Sequence, residues 1–139
     1  MLRSVIIFSK DTNTRTREGV QKLLEELRRR NIHAIVCHKS EEQASLSEVP
    51  DLVLSVGGDG TFLETVLRFG DLGVPVAGVN TGRMGFLANI PGDEIGKSVD
   101  QLCRNDFDVV ERSRLEIIRP ANLFEGDRGL ALNEVTIQK

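Results

Sequence analysis

The chain has 139 residues, of which 40% are hydrophobic and 28% are charged, and its formal net charge at pH 7 is −3. This composition is typical of a soluble globular protein, with room for one complete domain and too few residues for two. The acidic balance argues against nucleic-acid and anionic-membrane partners, which favour basic patches, and no apolar run is long enough to span a bilayer.

The two cysteines, Cys37 and Cys103, do not form a CxxC pair. This spacing indicates neither a disulfide framework nor a zinc site, so we assign no metal-ligating residues. The first apolar run is too short for a secretory leader, and no small-residue cleavage site follows it. We therefore expect a cytoplasmic location.

Strand-like runs and helices alternate over the first part of the chain. Ser4–Ser9 holds a continuous apolar run, typical of a strand that a parallel sheet buries on both faces. Apolar residues at i, i+3, i+4 and i+7 from Val20 to Leu27 predict an amphipathic helix, which Asn13 or Thr14 caps and Asn31 ends. The further predicted elements are strands over 32–37 and 51–56 with a candidate short helix in 39–48 between them, a helix over 61–68, a strand over 74–79, turns over 80–89 and a helix over about 93–104.

This order predicts a Rossmann-like, three-layer α/β/α domain with a parallel sheet over residues 1–104. Three strands alone cannot bury a core, so we interpret residues 105–139 as the incomplete start of a β-rich domain. In that part the pattern changes to strand-like runs without helices between them, over 108–111, 115–119 and 130–138.

The sequence Gly57-Gly58-Asp59-Gly60 forms a tight turn between a buried strand and a helix. Glycines there let backbone amides approach a ligand, and a helix amino terminus favours phosphate. A carboxylate beside phosphates is unfavourable unless it accepts a proton or holds a metal ion. The alternative is a plain turn, in which Asp59 only satisfies backbone amides.

The next residues have a local interpretation. Thr61 and Glu64 have the spacing of a capping box, in which each side chain accepts the backbone N–H of the other. The chain contains neither a Walker A lysine nor a GxGxxG fingerprint, so the P-loop and the usual dinucleotide motif are not its routes to nucleotide binding.

Three segments together resemble the NAD kinase family: Val-Gly-Gly-Asp-Gly-Thr-Phe at 56–62, Gly-Val-Asn-Thr-Gly-Arg-Met-Gly-Phe-Leu at 78–87, and Leu-Asn-Glu at 132–134. The first element is also similar to those of diacylglycerol kinases, sphingosine kinases and phosphofructokinases. The middle segment and the Asn-Glu pair are specific to NAD kinases.

The resemblance implies that Asp59 is the proton acceptor for the adenosine-ribose 2′-hydroxyl of NAD. At Glu64 many members carry a basic residue, so no ligand role is transferred to it. The other implied roles are a loop around the nucleotide phosphates (Gly57, Gly58, Gly60, Thr61), positions at the dinucleotide pocket with an aromatic ring near the adenine (Asn80, Phe86), and a pair that hydrogen-bonds NAD (Asn133, Glu134).

The implied reaction transfers the γ-phosphate of ATP, or a phosphate of polyphosphate, to NAD to form NADP, with a divalent metal ion, expected to be Mg²⁺. Family members suggest a homo-oligomer for the full-length protein, and the 139-residue chain is expected to be inactive alone. Two alternatives stay open: a lipid kinase of the diacylglycerol kinase type, and a non-catalytic nucleotide-binding module.

The residues support the Asn-Glu pair independently. In a strand over 130–137, Asn133 and Glu134 would lie on opposite faces, each among mostly apolar neighbours. A buried polar group must find a partner, which favours a ligand-binding role. The alternative is an edge strand with Glu134 in water.

Overall fold

The computed structural model describes residues 1–10, 13–38, 49–82, 85–118 and 129–136. The chain divides into two compact units, Met1–Asp108 and Val109–Lys139. In chain order the elements of the first unit are β1 (Ser4–Ser9), α1 (Thr14–Arg29), β2 (His33–His38), β3 (Leu52–Gly57), α2 (Asp59–Phe69), a 3-10 turn (Gly70–Leu72), β4 (Val76–Asn80), β5 (Ile90–Pro91) and α3 (Ile95–Cys103).

The first unit is built on a five-stranded parallel sheet with the strand order β2-β1-β3-β4-β5. From the central pair β1 and β3, the chain adds β2 on one side and β4 and β5 on the other. In such a sheet a crevice opens beyond the carboxyl ends of the central strands, where the direction of winding reverses. The predicted Rossmann-like α/β domain is therefore confirmed, and the crevice lies where β3 runs into Gly57.

Helices cover both faces of this sheet, because alternate residues of the central strands enter two separate cores. Val5 and Ile7 of β1 pack with apolar residues of α1 and α3. Ile6 and Phe8 of the same strand pack on the opposite face, where Phe8 meets Phe69 of α2 edge to face with ring centroids 5.7 Å apart. The continuous apolar run in β1 is thus buried from both sides, as predicted.

The predicted ends of α1 are confirmed. The Asn13 side chain accepts the N–H of Thr16 at 3.0 Å and caps the helix, and Asn31 follows the last turn with a positive φ of 56°. Asparagine tolerates this left-handed conformation better than most residues. The candidate short helix at 39–48 lies outside the described residues.

The predicted capping box at the start of α2 is wrong. The helix begins at Asp59, its N-cap is Gly58, and no side chain caps it. Thr61 is already the third helical residue, so its hydroxyl lies one turn too late to serve as a cap. Glu64 instead forms ion pairs with Lys10 at 3.1 Å and Arg68 at 3.4 Å.

The second unit contains a short antiparallel pair, β6 (Leu115–Ile117) and β7 (Gly129–Ala131). Residues 108–111, predicted as a strand, have no regular structure, and the strand predicted over 130–138 ends at Ala131. A two-stranded ladder of three residues offers little neighbouring surface, so it cannot hold a longer strand in register. Among the described residues, no helix is both long and apolar enough to cross a membrane.

Candidate functional site

The Gly57–Gly60 turn joins β3 to α2 at the carboxyl edge of the sheet. Gly58 is extended, with φ −104° and ψ −169°, and the helix begins at the next residue. The Thr61 N–H donates to the Gly58 carbonyl at 3.0 Å, and no side chain caps α2. The N–H groups of Asp59 and Gly60 therefore remain available to a ligand among the hydrogen bonds of the described residues, and the helix dipole adds positive potential there. This end of α2 has the properties of a phosphate-binding turn.

The glycines of the turn meet two different demands. A Cβ at Gly57 would lie 2.8 Å from the Cβ of Thr61, so the packing of the turn itself excludes a side chain there. A Cβ at Gly58 or Gly60 would meet nothing within 4 Å, and neither residue has a positive φ. The fold therefore requires glycine only at position 57, and the space beside Gly58 and Gly60 is open to a ligand.

The Asp59 carboxylate is held by backbone amides of a second segment. Its Oδ2 atom accepts the N–H of Phe86 at 2.9 Å. Its Oδ1 atom accepts two more, from Leu87 at 3.0 Å and from Ala88 at 3.1 Å. These bonds, led by that of Ala88, hold the pKa of Asp59 below its ordinary value, because they stabilise the charged form.

Contacts of Asn80, the last residue of β4, and of Gly78 hold the segment that follows β4 in place. Asn80 is buried; its Oδ1 accepts the N–H of Gly82 at 2.8 Å, and its Nδ2 donates to the carbonyl of Ala88 at 3.3 Å. Gly78 lets the returning chain approach β4, since a Cβ there would lie 2.6 Å from the Cα of Ala88. The side chain of Phe86 is 99% exposed, although its amide is bound to Asp59. The ring is thus presented at the surface beside the carboxylate.

A cavity of about 390 Å³ adjoins this segment on the side of α1. The sequence prediction included Asn80 but not the two cationic residues of the cavity, Arg15 and Lys22. The sequence marked them only as charged residues in the first three turns of α1, where solvent-exposed charges are common. The lining residues are Arg15, Glu18, Gly19, Lys22, Asn80, Thr81, Gly82 and Gly92.

Asn133 and Glu134 belong to the second unit, where they follow β7 and are exposed. The prediction that they lie on opposite faces of a longer strand, among buried apolar neighbours, is wrong. β7 pairs only with β6 in the described residues, so no third strand covers these side chains. Their proposed contact with NAD stays a prediction from the family resemblance.

The first unit brings seven of the predicted residues to two neighbouring segments of one sheet edge. These are Gly57, Gly58, Asp59, Gly60 and Thr61 in the turn and the first helical residues of α2, Asn80 at the end of β4, and Phe86 in the segment that follows β4. The family described as the ATP-NAD kinase N-terminal domain matches residues 10–107, which include all seven. The chain belongs to the NAD kinase family.

Individual NAD kinases are similar over different lengths. The NAD kinase of Cytophaga hutchinsonii is 46% identical over 90 residues, which is 65% of this chain and 30% of that protein. The NAD kinase of Bacteroides fragilis is 40% identical over 89 residues, 64% of this chain and 30% of its own length. The NAD kinase of Geobacter sp. strain M21 is 31% identical over 152 residues, covering 99% of this chain and 52% of the relative. The chain thus spans between about a third and a half of these relatives.

Proposed function

We propose that this chain is the amino-terminal part of an NAD kinase that transfers the γ-phosphate of ATP, or a phosphate of polyphosphate, to the adenosine-ribose 2′-hydroxyl of NAD. The observation that carries the proposal is the Asp59 carboxylate at the uncapped start of α2, beside the open space at Gly58 and Gly60. A proton acceptor and a phosphate-binding turn are the two groups that this reaction needs at adjacent positions.

Within the described part of the chain, the Asp59 carboxylate keeps one acceptor position for a ligand. An ionised carboxylate has about four lone-pair positions, and three are occupied by the amides of residues 86–88. The remaining position is on Oδ2, and there the ribose hydroxyl would donate its hydrogen bond. Because the pKa of Asp59 is lowered, the carboxylate is a weak base that takes the proton only as the phosphate bond forms.

The other residues position the substrates. The N–H groups of Asp59 and Gly60 and the space beside Gly58 and Gly60 receive the transferred phosphate. The exposed ring of Phe86 stacks near the adenine, and Asn133 and Glu134 hydrogen-bond the NAD. Most of the rate then comes from aligning the hydroxyl with the phosphate rather than from proton transfer.

A divalent metal belongs to the implied reaction, where it would neutralise charge on the phosphates. The described residues include no cluster of three or more His, Cys, Asp or Glu side chains that could hold a metal ion. The Asp59 carboxylate, which lies in the turn, already accepts hydrogen bonds from three backbone N–H groups. These residues do not fit a metal site built by the protein, and we derive no step through a metal.

Residues 105–139 are proposed as the start of a β-rich NAD-binding domain that follows the α/β domain of residues 1–104. NAD and ATP are the proposed partners, in a cytoplasmic homo-oligomer of the full-length protein. Membership of the NAD kinase family favours NAD over a lipid as the phosphate acceptor. A binding module without turnover stays the alternative for the 139-residue chain alone.

The proposal is tested by assaying NADP formation from NAD and Mg²⁺-ATP with the full-length protein and its Asp59→Asn variant. We expect the variant to lose at least about a hundredfold in turnover, while NAD affinity measured by calorimetry changes by only a few fold. The asparagine oxygen can still accept the N–H groups of Leu87 and Ala88, and only the hydrogen bond from Phe86 is lost. Asp106→Asn, an exposed carboxylate away from the turn, serves as the control. Near-normal turnover of Asp59→Asn would remove the catalytic role, and phosphorylation of diacylglycerol instead of NAD would favour the lipid kinase.

A further inference from the structure

Three consecutive backbone N–H groups, those of residues 86–88, converge on the Asp59 carboxylate. We call this arrangement the Asp59 latch. It joins the first residue of α2 to the segment that carries Phe86, and the same Oδ2 atom that has a free acceptor position also holds the Phe86 amide. The direction of the free position is therefore fixed by the 86–88 segment.

Gly85, the residue just before the latch, has no space for a side chain. A Cβ built on Gly85 would overlap the Oδ1, Cγ and Oδ2 atoms of Asp59. Gly85 does not have a positive φ, so its backbone conformation is open to other residues. Glycine at this position is thus explained by the approach of the carboxylate and not by the turn.

Gly82, three residues earlier in the same segment, provides the contrast. A Cβ there would meet nothing within 4 Å, and its φ is also not positive. An alanine at position 82 is therefore accommodated without moving Asp59, whereas an alanine at position 85 must displace the carboxylate or the chain around it.

We propose that Gly85 is a positioning residue for phosphoryl transfer: by leaving room for the Asp59 latch, it aims the single free acceptor position of Oδ2 at the substrate hydroxyl. This inference rests on the proposed function for its catalytic consequence. The latch itself is a property of the protein without substrate.

The Gly85→Ala variant should break or weaken the latch. The displaced carboxylate loses hydrogen bonds from backbone amides that stabilise its charged form, so its pKa rises toward the ordinary value of an aspartate. The acidic limb of the pH–rate profile moves to higher pH for the same reason. Turnover falls by about tenfold to a hundredfold, because misplacing a catalytic group by about 1 Å has an effect of that size.

Two measurements on Gly85→Ala and Gly82→Ala test the proposal. Carboxyl NMR titration of the substrate-free protein reports the Asp59 pKa, and steady-state kinetics of the full-length protein reports kcat, KM and their pH dependence. We expect a raised Asp59 pKa and a lowered kcat in Gly85→Ala, and an unchanged Asp59 pKa in Gly82→Ala. The control for the kinetics is Gly96→Ala in α3, where an added Cβ makes only ordinary contacts with Glu26 and kcat and KM should not change. An unshifted Asp59 pKa in Gly85→Ala, a shifted pKa with unchanged kcat, an equal pKa shift in Gly82→Ala, or an equal loss of kcat in Gly96→Ala would each overturn the proposal.

A double-mutant cycle tests the latch even if Gly85→Ala destabilises the protein too much for the assays. If the Asp59 carboxylate is what position 85 must avoid, Gly85→Ala lowers the Tm in the unchanged protein and much less in an Asp59→Ala background. An equal loss in both backgrounds would overturn the latch. If the full-length protein makes no NADP, the proposed function fails, and the titration and the cycle, which need no substrate, still decide the latch separately.

Discussion

The glycines of the turn after β3 differ in whether packing of the fold or space for a ligand explains them. Gly57 is required because Thr61 packs against it, whereas Gly58 and Gly60 border open space. A glycine that packing does not require lowers stability relative to alanine, because it loses more backbone freedom on folding. Residues of this kind mark positions where a close approach by a ligand outweighs stability.

The Gly60→Ala variant should therefore be more stable and bind less nucleotide. We expect the free energy of unfolding to rise by about 0.5 kcal/mol, because alanine favours the first turn of α2. Affinity for Mg²⁺-ATP should fall at least about fivefold, since the methyl group enters the space beside the turn. Chemical denaturation and calorimetry measure the two quantities.

Gly73→Ala is the matched control for this prediction. Gly73 has a φ of 69°, a conformation that alanine disfavours, so this variant should lose about 1 kcal/mol of stability without changing nucleotide affinity. If Gly60→Ala destabilises the protein as Gly73→Ala does, the glycine at position 60 serves the fold and the ligand argument is wrong.

At the scale of elements, a second aspartate ties two strands together at the opposite edge of the sheet. Asp51, just before β3, accepts the N–H groups of Arg3 at 2.7 Å and Ser4 at 2.9 Å, at the start of β1. The Asp51 N–H donates in return to the Ser4 carbonyl at 2.9 Å. These bonds fix the register of the central strand pair, and the amide of Ser4 leads in holding the pKa of Asp51 below its ordinary value.

Replacing Asp51 with alanine should lower the free energy of unfolding by about 1 kcal/mol at pH 7, since two charge-assisted bonds are lost from a partly exposed site. Urea denaturation followed by circular dichroism measures the difference, since the chain has no tryptophan whose fluorescence could be used. Asp106→Asn is the control, because the Asp106 carboxylate is exposed and does not tie two strands together as Asp51 does. This variant should change the free energy of unfolding little.

The difference between the unchanged protein and Asp51→Ala should also depend on pH. A carboxyl group with a lowered folded-state pKa stabilises the protein above its unfolded pKa, about 3.9, and this stabilisation is lost as the pH falls through the folded value. The stability difference should therefore be constant between pH 7 and 5 and shrink below about pH 4. A difference that persists undiminished at pH 2 would show that the carboxylate charge is not its source.

At the scale of the whole molecule, the two units differ in how much of their apolar surface is buried. Among the residues that the structure describes, the buried hydrophobic ones lie between Val5 and Leu102, within the first unit. In the second unit, exposed apolar side chains include Val110 at 70% and Ile118 at 74%. Stability of the described structure therefore resides in the first unit, because burial of apolar surface is the main stabilising contribution.

A polypeptide of residues 1–108 should accordingly fold by itself. We expect its Tm, measured by circular dichroism, to lie within about 3 °C of that of the 139-residue chain, which corresponds to less than about 1 kcal/mol. The chain of 139 residues is the control. A fall of more than about 10 °C on removing residues 109–139 would mean that the second unit contributes to the core, contrary to this assignment.

Those parts of this protein that depend on neighbours along the chain could be predicted from its residues. The apolar runs of the strands, the i, i+3, i+4, i+7 pattern of α1 and its Asn13 and Asn31 ends were all readable, because hydrophobic periodicity and capping are local properties. The turn at Gly57–Gly60 was readable for the same reason. The two-residue strand β5 was not predicted, because so short an element is specified by its pairing with β4 rather than by its own residues.

The contacts of the side chains in the site could not be predicted in this way and are known from the three-dimensional structure. The sequence left open whether Asp59 satisfies backbone amides or acts as a base, and the amides that it accepts belong to a segment 27 to 29 positions away. Glu64 likewise pairs with Lys10, which follows β1, instead of capping its own helix. The requirement for glycine at position 85 follows from that distant carboxylate. Such contacts depend on how strands and helices are placed in three dimensions, which local propensity and spacing do not specify.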